Sequence, residues 1–412
     1  MIAMTTRMTC CVLCCLLACS SKAVELTFSG KGEIFISQQE PAAPLNKTWF
    51  NRGTGQLDFA ESAIGPGPQY FTLDAATDSA FSGRIHAQWH NRPETGLSIT
   101  EAWLNWAPLP VNGYRLRARI GYFYPQLSLE NTDTAWTSPY SSTFSAINSW
   151  VAEEIRARGG ELSIGRPGHF FQSSQSWTAF IGAFQGNDPA GTILAWRGFA
   201  LHNLQTGLGE RVDFANYLSL QTGPLVLQNP WVEPTRELDH RTGYYVGLHW
   251  QYGQHTRIRA YYYDNNGDPL VFSHQQYGWR TRFNSIAMQH FINENWQLVA
   301  QWLDGNTLMG PGAVDADFTA WFLLAHWQRG AISATVRYDD FNVVDKDTIP
   351  NDNNNGNGQA ILLALSYSLN DQLNVGVERV MLNSEQQNRQ QWAWPVKQQQ
   401  TLSKLVLTWR WP

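Results

Sequence analysis

A two-residue alternation of side-chain character recurs down to the last strand-like segment, and it constrains the fold more than any other feature. In Tyr114-Arg115-Leu116-Arg117-Ala118-Arg119-Ile120-Gly121-Tyr122, the residues Leu116, Ala118, Ile120 and Tyr122 share one face of an extended chain. Arg115, Arg117 and Arg119 share the other. Leu405-Val406-Leu407-Thr408-Trp409-Arg410-Trp411 repeats the pattern. An aromatic-rich apolar face opposite a charged face suits a wall with hydrocarbon on one side and water on the other. The fold class this predicts is all-β: a transmembrane antiparallel up-and-down β-barrel.

Composition supports that expectation. Only 15% of residues are charged, and the chain carries 19 Trp, 15 Tyr and 20 Phe. Barrels concentrate Trp and Tyr in girdles at both membrane interfaces. Mean hydropathy is −0.34, as polar lumen faces and loops would give. A spanning helix needs roughly 18 or more apolar residues in a row, and no such run follows the N-terminal segment. The formal net charge of −5 leaves an internal pore open, because lumen and loops can differ in sign. The competing architecture is a large soluble β-sandwich or propeller.

All five cysteines lie within the first nineteen residues: Cys10, Cys11, Cys14, Cys15 and Cys19. Arg7, the apolar stretch from Cys10 to Ala18 and the small residues up to Ala23 have the order of a secretory signal peptide. Residues 1–23 are expected to be that signal, and 24–412 a single barrel domain. Leu16-Leu17-Ala18-Cys19 also resembles a lipobox, which would leave Cys19 lipidated and retained.

Strand-like segments fall near 25–38, 67–76, 81–90, 97–107, 113–124, 153–164, 174–185, 191–203, 210–220, 241–252, 256–264, 277–291, 295–304, 317–328, 331–341, 358–369, 372–382 and 400–411. The expected count is therefore about eighteen strands, with sixteen as the alternative if a weak pair is removed. Short turns such as Val111-Asn112-Gly113, Gly253-Gln254-His255 and Asn370-Asp371 alternate with long polar connections. That asymmetry is typical of membrane barrels. The first strand starts just after the signal, so no separate plug domain is expected before the barrel.

Charged side chains on a lipid face cost about 2–4 kcal/mol each at mid-depth. The arginines are therefore expected to line the lumen. The candidate pore-lining residues are Arg84, His86, Glu101, Arg115, Arg117, Arg119, Arg156, Arg158, Arg257, Arg259, Arg280, Arg282 and Arg337. Gly159-Gly160 is a candidate bulge. A guanidinium-rich lumen would favour anions such as phosphate. A mixed lumen, with arginines neutralised by acids on neighbouring strands, is the alternative.

The 125–152 connection holds Trp136, Tyr140 and Phe144, then Ile147, Trp150 and Val151 at helical spacing. Folding it into the lumen would hide these side chains and narrow the pore; an external loop packed on its neighbours is the alternative. No catalytic or metal motif stands out, and no cofactor is expected. Asp264-Asn265-Asn266-Gly267-Asp268 lacks the glycine placement and the final Glu of a helix-loop-helix calcium loop. The acidic run Asp345, Asp347 and Asp352 reads as a solvated loop or one that meets divalent ions bridging outer-leaflet lipid. A barrel hydrolase and a non-conducting adhesin or assembly barrel remain as other classes.

The signal segment, the first strand Phe28-Ser29-Gly30-Lys31-Gly32 and the aromatic alternating last strand resemble a Gram-negative outer-membrane porin. The chain ends Trp411-Pro412, where porins usually end on an aromatic residue. Ser138-Pro139-Tyr140 with Ser145-Ala146-Ile147-Asn148-Ser149-Trp150, and Tyr338-Asp339-Asp340-Phe341, are similar to segments of the phosphate-selective branch. The resemblance implies an outer-membrane channel for passive diffusion of small hydrophilic solutes or anions. It also implies barrel-assembly machinery, lipid and lipopolysaccharide as partners, with a homotrimer left open and no nucleic acid.

Overall fold

The computed structural model describes residues 24–40, 48, 52–57, 63–91, 96–223, 225–349 and 352–412; the signal segment and Cys19 lie outside them. Sixteen antiparallel strands close a barrel. They are β1 (Val24–Glu40), β2 (Ala63–Thr77), β3 (Phe81–His90), β4 (Gly96–Trp106), β5 (Arg115–Phe123), β6 (Ala157–Arg166), β7 (Gln175–Gln185) and β8 (Gly243–Tyr252). They continue as β9 (Thr256–Asp264), β10 (Trp279–Phe291), β11 (Trp296–Met309), β12 (Val314–Arg329), β13 (Ile332–Asp345), β14 (Gly356–Ser368), β15 (Leu373–Gln386) and β16 (Lys397–Trp411). Each strand pairs with the next, and β1 pairs with β16 from Gly30↔Trp411 to Glu40↔Thr401. The up-and-down barrel is thus as expected, with the lower of the two strand counts. Closure removes every free strand edge, the condition for backbone to cross lipid.

The segments 191–203 and 210–220 are not strands of the barrel wall. The first contains a short helix, α2 (Thr192–Arg197), and the second holds a two-residue strand, Val212–Asp213, paired with Trp231–Val232, and a 3-10 turn. Both belong to one long connection, L4, between β7 and β8. Ile193, Leu194, Trp196, Phe199 and Leu201 are apolar because they pack inside the barrel, not because they face lipid. The bulge expected at Gly159-Gly160 is absent, since β5 and β6 pair without a shift. Register shifts occur instead at Gly32/Ile34 and at His86/Ala87, the latter leaving Thr100 without a partner.

Short turns gather at one rim. At Val111–Tyr114 the two-residue turn Asn112-Gly113 has φ of 50° and 82°, which Asn and Gly tolerate and most residues do not. Outside, Trp177, Trp250, Trp296 and Trp327 form an aromatic row towards this rim, while Tyr244, Tyr262, Trp302 and Trp321 form a row towards the other, judged by strand register. Leu323, Val336, Leu363 and Leu405 are exposed on the outer wall. An apolar belt between aromatic rows is a lipid-facing surface.

The inner wall is unusual in being apolar over half its circumference. Phe283, Val299, Leu303, Phe318, Phe322, Leu324, Phe341, Leu362, Val380 and Leu402 all point inward and are buried. They form one cluster with residues of the two inserted connections. On β12 both faces are apolar, Phe318, Phe322 and Leu324 inside and Trp321 and Leu323 outside.

Candidate functional site

The barrel interior is organised by the connection between β5 and β6, L3. It leaves the wall at Phe123, crosses the lumen and is pinned to the opposite strands. Glu378 on β15 accepts from the Ser142 and Thr143 N–H groups at 2.9 and 3.3 Å. Asp339 on β13 accepts from the Ala146 N–H at 3.0 Å, and Lys404 on β16 donates to Thr143 Oγ1 at 2.7 Å. Asp133 meets Arg410 at 2.7 Å and Lys31 at 3.6 Å. The sequence signal for infolding was the density of apolar residues in 125–152, and this loop does enter the lumen.

Helix α1 (Ala146–Glu154) ends the excursion. Ser145 caps it by accepting the Asn148 N–H. Trp150 packs edge-on against Phe283 and Phe199, and near Phe318. L4 then lies on α1. Glu153 forms a two-pronged pair with Arg197, at 2.8 and 2.7 Å, and lies 3.2 Å from His202. Burial alone would raise the Glu153 carboxyl, but Arg197 and His202 outweigh it and hold it down to about 2. Glu154 accepts from Trp150 Nε1 and the Ile193 N–H, and burial still pushes it up to about 7. A third inserted piece comes from the connection after β1: Gln56 donates to the Phe199 carbonyl and accepts from the Leu201 N–H.

The sequence-predicted lumen residues divide into three groups. The first lines the lumen near the short-turn rim. Arg115 and Arg117 are water-exposed there, Arg257 is exposed on β9, and Arg259 donates to the carbonyls of Gln126 and Ser128. A cavity of about 470 Å³ opens between this wall and L3, lined by Arg84, His86, Glu101, Arg119, Arg259 and Trp136 among others. Arg84 pairs with Asp74, Arg119 pairs with Glu161 at 3.1 Å, and Glu101 accepts the Tyr124 N–H.

The second group points inward but is consumed by packing. Arg337 is fully buried, bridges Glu130 and Asp339 at 2.7 Å each, and donates to the Thr143 and Phe144 carbonyls. Arg156 precedes β6 rather than lying on it. Its guanidinium stacks on Tyr124 and donates to carbonyls of Thr100, Val151, Ala152, Ile155 and Thr206.

The third group corrects the expectation. Arg280 and Arg282 share a face with exposed Ile286 and Met288, whereas Thr281, Phe283 and Ser285 between them are buried inside. Both arginines, and Asn284 with them, therefore point outward. Arg158 is not among them: it stands opposite buried Tyr122 at the long-loop rim, beside Gly186. The hydrocarbon argument fails for Arg280 and Arg282 for one reason. They stand at the long-loop ends of their strands, where an outward charge costs only about 0–1 kcal/mol.

Thr72 Oγ1 lies 2.7 Å from His86 Nδ1, and Glu101 lies 3.6 Å from His86 Nε2. The hydroxyl holds the ring, but the carboxylate is beyond hydrogen-bond reach, so this is no nucleophile–base–acid relay.

No protein-family model matches the sequence, and no curated protein matches it. Solved structures do. DcaP, an outer-membrane channel of Acinetobacter baumannii, superimposes with TM-score 0.55 at 9% identity, covering 95% of this chain and 99% of that one. An anion-selective porin from Comamonas acidovorans gives 0.54 at 11%, covering 94% and 100%. OmpT of Vibrio cholerae gives 0.51 at 9%, covering 95% and 99%. The chain has the closed-barrel fold of Gram-negative outer-membrane porins.

Proposed function

We propose that this chain is an outer-membrane porin with a narrow water-filled path for passive diffusion of small hydrophilic solutes, preferring phosphate and other small anions. The observation that carries the proposal is the polar cavity of about 470 Å³ inside a closed barrel, with arginines around its approach. Arg115, Arg117 and Arg257 are exposed and form no ion pair among the described residues, so their charge reaches the water at this mouth. Deeper arginines are matched by Asp74, Glu161, Glu130 and Asp339. The preference would then arise at the mouth and not in the throat. The Comamonas protein of the same fold is itself described as anion-selective. The proposal includes export by the 1–23 segment, insertion by barrel-assembly machinery, lipopolysaccharide contact and assembly as a homotrimer.

Single-channel recording across a planar bilayer in asymmetric KCl tests it. The expected reversal potential is anion-selective and moves toward cations in Arg115→Ala, Arg117→Ala and Arg257→Ala combined. Raising salt to 1 M shrinks the screening length to about 3 Å and should weaken the preference. A cation-selective wild type would remove the anion preference, and a chain that never conducts would remove the channel.

A further inference from the structure

L4 begins at Gly186 and returns to β8 through residues 232–242, so its two limbs meet at the long-loop rim. Asp188 on the outgoing limb and Glu237 and Asp239 on the returning one each place a carboxylate oxygen within 4.8 Å of the others. We infer that Asp188, Glu237 and Asp239 form a calcium site that ties the base of L4 together.

Asp188 supplies the observation that points to a ligand. The residue is fully buried, and its Oδ1 has no hydrogen-bond donor. Its Oδ2 accepts the Leu238 N–H. Backbone amides hold the other carboxylates in place. Glu237 accepts from Gly186 and His240, and Asp239 from Arg241 and Asp268. These amides orient the oxygens but neutralise no charge. The adjacent guanidinium of Arg241 goes to Asp268 at 2.7 Å, and Arg158, beside Gly186, pairs with none of the three. Three carboxylates thus converge with no cationic side chain among the described residues to balance them.

The donor set selects the cation. All donors are hard oxygens, which excludes the soft transition metals. Calcium binds oxygen at about 2.3–2.6 Å, so oxygens on opposite sides of the ion stand roughly 5 Å apart, and three oxygens within 4.8 Å of one another can share one such ion. Magnesium requires a smaller and more regular octahedron than ligands from two loop limbs provide. The site also reaches the next connection: the Asp188 carbonyl accepts the Trp279 N–H at 2.8 Å, and Asp268 lies in the loop before β10. A cation there would close the loop that carries α2 into the lumen, the kind of clip that gains most when the loop is long.

The competing account is a proton shared between two of the carboxylates. Terbium luminescence excited through Trp279 in the purified, chelator-stripped barrel distinguishes the two. The expected result is saturable emission that calcium displaces. Glu237→Gln and Asp239→Asn should each weaken terbium affinity by at least about tenfold, since even outer-sphere changes cost that much at metal sites. Asp371→Asn, an exposed turn residue at the opposite, short-turn rim, should leave affinity unchanged and serves as the folded control. Emission that does not saturate, that calcium does not displace, or that survives both cluster substitutions overturns the site and favours the shared proton.

Discussion

Glu153 and Glu154 are neighbours on α1 and meet opposite surroundings, so they set opposite pH limits on how L3 and L4 dock. Glu153 is held down to about 2 by Arg197 and His202 against the effect of its burial, while the ordinary value is 4.5. Its contribution is fully present above pH 4.5 and is lost as pH falls toward 2, amounting to roughly 3 kcal/mol by the usual conversion. Glu154 is pushed up to about 7 by burial. Its ionisation costs docking stability as pH rises from 4.5 through 7, by a similar order. Glu153→Gln should therefore remove the acid-side loss and weaken docking at neutral pH, by about 3–5 kcal/mol, because Arg197 is left buried without its partner. Glu154→Gln should stabilise the docked state above pH 7. Open-state noise in single-channel records across pH 3 to 9 reads both; a Glu154→Gln trace with the wild-type pH dependence would show that this carboxyl does not titrate in the docked barrel.

At the scale of elements, L3 and L4 are two halves of one internal core. Trp150 on α1 and Phe199 on L4 meet Phe283 and Phe318 of the wall, so helix, loop and strands share a single apolar contact. Gly182 and Gly247 belong to the same design, since a Cβ at either would stand about 2.3–2.4 Å from the ring of Tyr245 or Tyr261. Trp150→Ala should cost about 3–5 kcal/mol of docking by leaving a cavity, and should appear as flickering conductance in bilayers without loss of the barrel by circular dichroism. Removing residues 190–206 should raise conductance severalfold, because α2 and the strand-like stretch after it occupy the lumen. This packing also explains what the sequence hid. Thr192-Ile193-Leu194-Ala195-Trp196 is apolar like a lipid-facing strand, and period-two reasoning cannot distinguish an inserted core segment from a wall segment. Trp136, Tyr140 and Trp150 were legible as infolding residues because no strand pattern competed with them.

For the whole molecule, the closed barrel, the turn and loop rims and the orientation of β3, β5 and β9 were legible, because on those strands one face is polar and the other apolar. Orientation failed on β10. There the inner face carries no charge, mixing Trp279, Phe283 and Ala287 with Thr281, Ser285 and Gln289, and the charges stand outside above the lipid belt. A rule that sends every charge inward assumes a wet lumen and a charge at mid-membrane depth, and β10 meets neither condition. Cysteine labelling in intact cells separates the two arrangements, because a one-residue slip would invert every position. Cysteine at Arg282 should react with a membrane-impermeant thiol reagent added outside, and cysteine at Phe283 should not. Cysteine at Arg117 should react only in detergent-solubilised protein or when the reagent reaches the short-turn side, while Leu116 and Ile120 stay shielded by lipid. Reactive Phe283 with silent Arg282 would return β10 to the charged-inward register and dissolve the apolar half of the lumen with it.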